Sequence, residues 1–117
     1  MRMNKEIEIT FLKEAEDYFN KLPQKMKDKF TYSFTKTQFG YKGEWFKKLN
    51  DSDGIFEFRL RNQDKFYRIF SFWDGSDKDK TLIVATHGID KKKNQTPRKE
   101  IKKAEKIKQK YFQLKKK

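Results

Sequence analysis

Three strand-like segments in immediate succession, Ile55 to Arg61, Lys65 to Trp73 and Thr81 to His87, constrain this chain more than any other feature. Only turn formers separate them, Asn62-Gln63-Asp64 first and Asp74-Gly75-Ser76-Asp77-Lys78-Asp79 second, so they form a meander. In the first, Phe56, Phe58 and Leu60 share one face, and Glu57, Arg59 and Arg61 the other. The second is aromatic and β-branched on both faces, and the third is nearly continuously apolar, as a central strand should be.

Upstream, Lys5 to Thr10 alternates Ile7 and Ile9 with polar residues, the period of a half-buried strand. The period then changes: Phe11, Ala15, Tyr18, Phe19 and Leu22 line one side of a helix that Pro23 ends. Pro23 suits the first turn of a second helix carrying Met26, Phe30 and Phe34, and the two helices make a hairpin. Gly88 to Gln95 reads as a lysine-rich connection. Thr96-Pro97 places a capping hydroxyl ahead of a proline at the first position of a last helix, striped by Ile101, Ala104, Ile107, Tyr111 and Leu114. The expected class is α+β: one domain over 1–117, a mainly antiparallel four-stranded sheet, the hairpin on one face, and a C-terminal helix.

Aromatic residues make up 16% of the chain, with 12 Phe, enough for a real core although only 34% of residues are hydrophobic. Thirty Lys and Arg against seventeen Asp and Glu give a net charge of +13, which draws polyanions, nucleic acid first. With no cysteine and one histidine, disulfides, thiolate metal sites and most zinc arrangements are excluded. The acids sit mostly in turns and on helices rather than converging for Mg²⁺, so neither metal nor cofactor is expected. Met1 to Glu6 lacks the apolar region of a leader and no run reaches membrane-spanning length, so a cytoplasmic protein that leaves membranes alone is expected.

Arg59 and Arg61, two apart on one strand, project from the same face about 7 Å apart, close to phosphate spacing in extended RNA. Arg68 adds a guanidinium able to grip phosphate oxygens in a bidentate manner. A plain alternative is a solvated face on which Arg59 or Arg61 pairs with Glu57 or Asp64. His87 titrates near neutrality, and Lys91, Lys92 and Lys93 follow it. His87 reads equally as a strand-end histidine with a structural hydrogen bond. RNA supplies its own 2′-hydroxyl nucleophile, so arginine and lysine can perform most of its cleavage. Lys102 and Lys106 lie on the basic flank of the last helix, either as solvated charge or as contacts to RNA phosphates.

Four segments, in this order and spacing, resemble the RelE/ParE superfamily of toxins, most closely its HigB-like, phage-derived branch: Phe46-Lys47-Lys48-Leu49, Gly54-Ile55-Phe56-Glu57-Phe58-Arg59, Phe66-Tyr67-Arg68-Ile69-Phe70, and His87 through Pro97. The resemblance spans nearly the whole chain. It implies a toxin that enters the A site of the 70S ribosome, cleaves messenger RNA there without metal, and is silenced by a cognate antitoxin, a protein offering acidic contacts. By the same resemblance Arg59 and Arg68 would hold the scissile phosphate and Lys91 or Lys92 would move protons or stabilise charge. His87 is a further catalytic candidate, and Lys48, Arg61, Tyr67, Lys93, Lys102 and Lys106 are candidate RNA or ribosome contacts. Phe58 stands where leucine is common and Ile89 where an aromatic is common. Two other activities fit such a chain, gyrase inhibition of the ParE kind and RNA binding without cleavage.

Overall fold

The computed structural model describes residues 6–116; Lys5, expected to begin the first strand, and the Met1 to Asn4 stretch of the leader argument lie outside the described residues. The elements are β1 (Glu6–Phe11), α1 (Lys13–Asn20), α2 (Gln24–Gln38), β2 (Phe46–Lys48), β3 (Phe56–Asn62), β4 (Lys65–Asp74), β5 (Lys80–Lys91) and α3 (Arg98–Lys115). They form one sheet in the order β1-β5-β4-β3-β2, with β1 parallel to β5 and the remaining pairs antiparallel. No described helix is long and apolar enough to cross a membrane.

The α+β class and the meander hold, but the sheet has five strands rather than four. The added strand, β2, is too short for alternation to reveal. Its pairing with β3 brings the Phe46 ring over Phe58 at 4.3 Å and Phe56 at 5.0 Å, and that stacking fixes it to the edge. A second correction concerns Gly88 to Lys91, which continue β5 rather than opening a loop. Tyr18 of α1 holds this extension from one side, its hydroxyl donating to the Ile89 carbonyl at 3.0 Å and the Asp90 carboxylate at 2.6 Å. Its ring lies so close over Gly88 that any Cβ there would collide with it.

Both sheet faces are covered. Ala15, Leu22, Met26 and Phe30 of the helix hairpin bury Phe58, Tyr67, Ile69, Ile83 and Ala85. Ala104 of α3 meets Ile55, Phe70, Phe72 and Val84 on the opposite face, with Tyr111 and Phe112 packed against them. Each such large apolar side chain contributes about 1.5 to 3 kcal/mol. The far end of α3 is tied to the sheet by Asp74, which accepts hydrogen bonds from Tyr111 at 2.6 Å and Lys115 at 2.9 Å. Burial alone would raise the Asp74 carboxyl, but the donors Tyr111, Ser76 and Lys115 outweigh it and hold the group well below the usual carboxylate range.

At its start α3 departs from expectation. Pro97 is the N-cap, Arg98 the first helical residue, and no side chain caps the turn. The Thr96 hydroxyl is committed elsewhere, donating to Glu57 Oε2 at 3.0 Å. Between β4 and β5 the register slips: Phe70 faces His87 but Ser71 faces Ala85, so Thr86 is an extra residue, a β-bulge.

Candidate active site

On the α3 face of the sheet, beyond the first turn of that helix, β3 and β4 place Arg59 directly opposite Arg68. Like charges in such a pair repel. Glu57 lies between them: fully buried, its Oε1 is 3.1 Å from Arg59 Nε and 3.2 Å from Arg68 Nε. Neither Oε1 nor Arg68 Nε meets hydrogen-bond geometry, so this attraction is mainly Coulombic. Glu57 Oε2 receives the Thr96 hydroxyl, which ties the carboxylate to the loop before α3.

The two arginines differ in what they can still do. Arg68 is 2% exposed, donating from Nη1 to the carbonyls of Tyr67 (3.1 Å) and Leu60 (3.3 Å) and from Nη2 to Asn94 Oδ1 (2.6 Å). Burial works against its charge and lowers its pKa, and Glu57 opposes that shift. Arg59 is more open, with a side chain 29% exposed, and its nearest partner on the solvent side is Glu44, 3.8 Å away and itself exposed. Arg61 is exposed, hydrogen-bonded to the Gln63 carbonyl at 3.3 Å, its guanidinium 5.1 Å from the Phe66 ring centre. Arg59, Arg61, Phe66, Arg68 and Asn94 line an open cleft of about 300 Å³.

Lys91, at the end of β5, pairs in register with Phe66 and joins this group. Its ammonium donates to the Asn94 carbonyl at 2.8 Å and to Thr96 Oγ1 at 3.0 Å. Burial first, then the positive charges of Arg68 and Arg59, pull its pKa down to about 8 against the opposing effect of Glu57. Such a lysine is neutral often enough near physiological pH to accept a proton.

The other predicted residues divide by position. Lys92 and Lys93 are exposed and share a neighbouring depression with Lys91, Gln95 and Thr96. Lys48 is exposed on β2 and lines a groove of about 740 Å³ on the hairpin side, away from Arg59. Tyr67 is buried, 5% exposed, among the apolar residues under the helix hairpin. Lys102 and Lys106 border a groove beside Glu14, where Lys103 makes an ion pair of 2.7 Å. His87 is enclosed: its ring stacks on Phe70, Nδ1 lies 2.9 Å from Thr86 Oγ1 and Nε2 lies 3.0 Å from Glu100 Oε1. Burial lowers its pKa against the pull of Glu100.

The Arg59–Glu57 pairing weighed in the sequence is present at 3.1 Å, on a buried rather than a solvated carboxylate. Sequence reasoning missed that Glu57 also meets Arg68, that Asn94 and Thr96 link to Lys91, and that Glu100 partners His87. Glu57 carried a signal, since it shares the strand face of Arg59 while lying between the half-buried Phe56 and the core Phe58. Among the described residues no group of three or more His, Cys, Asp or Glu side chains could hold a metal ion.

Fold and site together define a small cation-rich α+β protein whose arginine-bearing strands open onto a cleft suited to a polyanion. Residues 17–109 match the family model described as phage derived protein Gp49-like (DUF891), and the chain belongs to that family. The family lies within the RelE/ParE-like toxin superfamily and is associated with toxin–antitoxin systems, which bears out the resemblance at superfamily level. No curated protein and no solved structure matches the chain.

Proposed function

We propose that this protein is the toxin of a type II toxin–antitoxin pair, of the HigB-like kind, and cleaves messenger RNA in the ribosomal A site. The observation that carries the reading is the grouping of Arg59, Arg68 and Lys91 around the buried carboxylate of Glu57. Arg59, the more open guanidinium, takes the scissile phosphate and stabilises its added charge in the transition state. Arg61, next along the same face, meets the flanking phosphate. Arg68 is a positioning residue, holding Asn94 and, with it, the Lys91 loop. Neutral Lys91 removes the proton of the 2′-hydroxyl, whose oxygen attacks the adjacent phosphorus. The P–O5′ bond breaks as the new P–O2′ bond forms, leaving a 2′,3′-cyclic phosphate and a 5′-oxygen protonated by Lys92. The nucleophile belongs to the substrate and the charges to the protein, so the scheme needs no metal. A cytoplasmic antitoxin with acidic contacts would silence the toxin by occupying such cations.

The decisive experiment is primer extension on a defined messenger with purified protein and EDTA, with and without translating ribosomes. Cuts within codons that require ribosomes are expected. Intact messenger in both tubes, from a protein that still arrests growth, would discard the nuclease reading and direct attention to gyrase.

A further inference from the structure

The cleft continues past Arg61. Its walls Trp45 and Leu60 are shared with a second depression of about 420 Å³, between β3 and α2, whose other side carries Lys29, Tyr32 and Lys36. The two meet because β2 pairs with β3 only from Phe56 to Phe58, with one further backbone bond from Arg59 to Trp45, so the outer edge of β3 is bare beyond that point. Trp45 crosses this edge, its indole fixed by a 2.9 Å hydrogen bond to Thr37 Oγ1. Over that ring, 3.7 Å from its centre, stands the ammonium of Lys36, which is also 4.7 Å from the Tyr32 ring centre. Two ring faces hold the cation in place, and no carboxylate among the described residues pairs with it. Asp28, the one acid on the rim, instead accepts from Gln24 at 2.9 Å. Tyr32 is 65% exposed, an aromatic face without apolar cover.

From this continuity we infer that the α2 depression is a subsite for single-stranded RNA leaving the cleft around the β3 edge. Lys36 takes the next phosphate and Tyr32 offers a platform on which a base stacks. The class of ligand follows from the chemistry: a held cation without a carboxylate suits a phosphate, and an exposed ring beside it suits any base, because every base has a π-face. Such a subsite adds grip and direction without reading sequence. The inference rests on the reading of the cleft as an RNA site and extends it by a nucleotide outside the reacting phosphate.

The test is fluorescence anisotropy of the full-length protein at low salt with a labelled 2′-O-methyl hexanucleotide, which cannot be cleaved, and with a dinucleotide of the same chemistry. Lys36→Ala and Tyr32→Ala should each weaken the hexamer about fivefold or more and leave the dinucleotide unchanged. The salt slope should fall by about 0.7 for Lys36→Ala. Lys110→Ala, an equal charge loss on α3, should change neither. Wild-type hexamer affinity in both α2 variants, with Arg59→Ala still weakened, would overturn the subsite and leave the cleft reading intact. Losses seen only with an RNA hairpin would assign the depression to folded RNA and overturn it as well. If Arg59→Ala also binds the hexamer normally, the cleft reading fails with the subsite.

Discussion

The carboxylate of Glu57 and the guanidinium of Arg68, both enclosed by protein, face each other across the β3–β4 ladder at 3.2 Å. Removing one member of such a pair leaves the other buried and uncompensated, which costs about 3 to 5 kcal/mol. Glu57→Gln, which keeps the volume and deletes the charge, should therefore lower the melting temperature by roughly 10 °C or more. Thermal unfolding followed by circular dichroism checks this, and a wild-type midpoint would remove Glu57 as the organiser. The same argument separates the arginines. Arg59→Ala should fold nearly normally and abolish growth inhibition, whereas Arg68→Ala should also lose stability because Glu57 loses its enclosed partner.

Lys91 sets the expected pH dependence of cleavage. With a pKa of about 8, the neutral amine increases as pH rises from 6.5, reaches about half near pH 8 and about nine-tenths one unit higher. The single-turnover rate should rise about tenfold per pH unit below that value and then level off. Lys91→Arg, which stays charged, should be slow at every pH. A wild-type rate that falls above pH 8 would make Lys91 a charge stabiliser instead of a base.

Glu44 is expected to compete with RNA for Arg59. Its carboxylate sits on the open side of Arg59 at 3.8 Å and also meets Lys47 at 3.5 Å. Exposed pairs are weak, so Glu44→Gln should tighten RNA binding by only about two- to fivefold. Titration of a 2′-O-methyl oligonucleotide into wild type and variant reads the effect; weaker binding by the variant would mean that Glu44 contacts RNA favourably.

His87 predicts a change of stability and not of rate. Its folded pKa is below 6.5, so between that folded value and 6.5 the unfolded chain binds more protons than the folded one. Stability is therefore lost as pH falls through this window and regained as it rises. Urea titrations at several pH values should show a smaller acid loss for His87→Phe than for wild type, with growth inhibition retained. A folded His87→Phe protein without toxicity would return the imidazole to the chemistry.

Much of this protein was legible in its sequence where side-chain period and burial coincide. The helix stripes through Ala15, Met26 and Ala104 and the strand alternation through Phe58 and Ile69 are local consequences of which residues avoid water. The face shared by Glu57, Arg59 and Arg61 was legible for the same reason. Other features were not local. Phe46 becomes strand only because Phe58 is there to stack on, and Thr96 gives up the α3 cap because a buried carboxylate 39 residues away needs its proton. Tyr67 and Arg68 are adjacent in sequence and equally able to meet RNA on paper. The strand sends one under the hairpin and the other to the cleft.

The extra residue at Thr86 has a consequence for how this family could vary. In β5, Ile83 and Ala85 point to the hairpin and Val84 to α3; after the bulge, His87 and Ile89 point to α3 and Gly88 meets Tyr18. The core half and the cleft half of the strand thus run in opposite sequence phase, joined by one unpaired position. Deleting Thr86 would leave Ala85 and His87 consecutive opposite Ser71 and Phe70, a regular ladder in which Lys91 still pairs with Phe66 and Ile83 to Ala85 keep their places. The strand carries one position whose loss would change the ladder without changing which side chains meet the core and which meet the cleft.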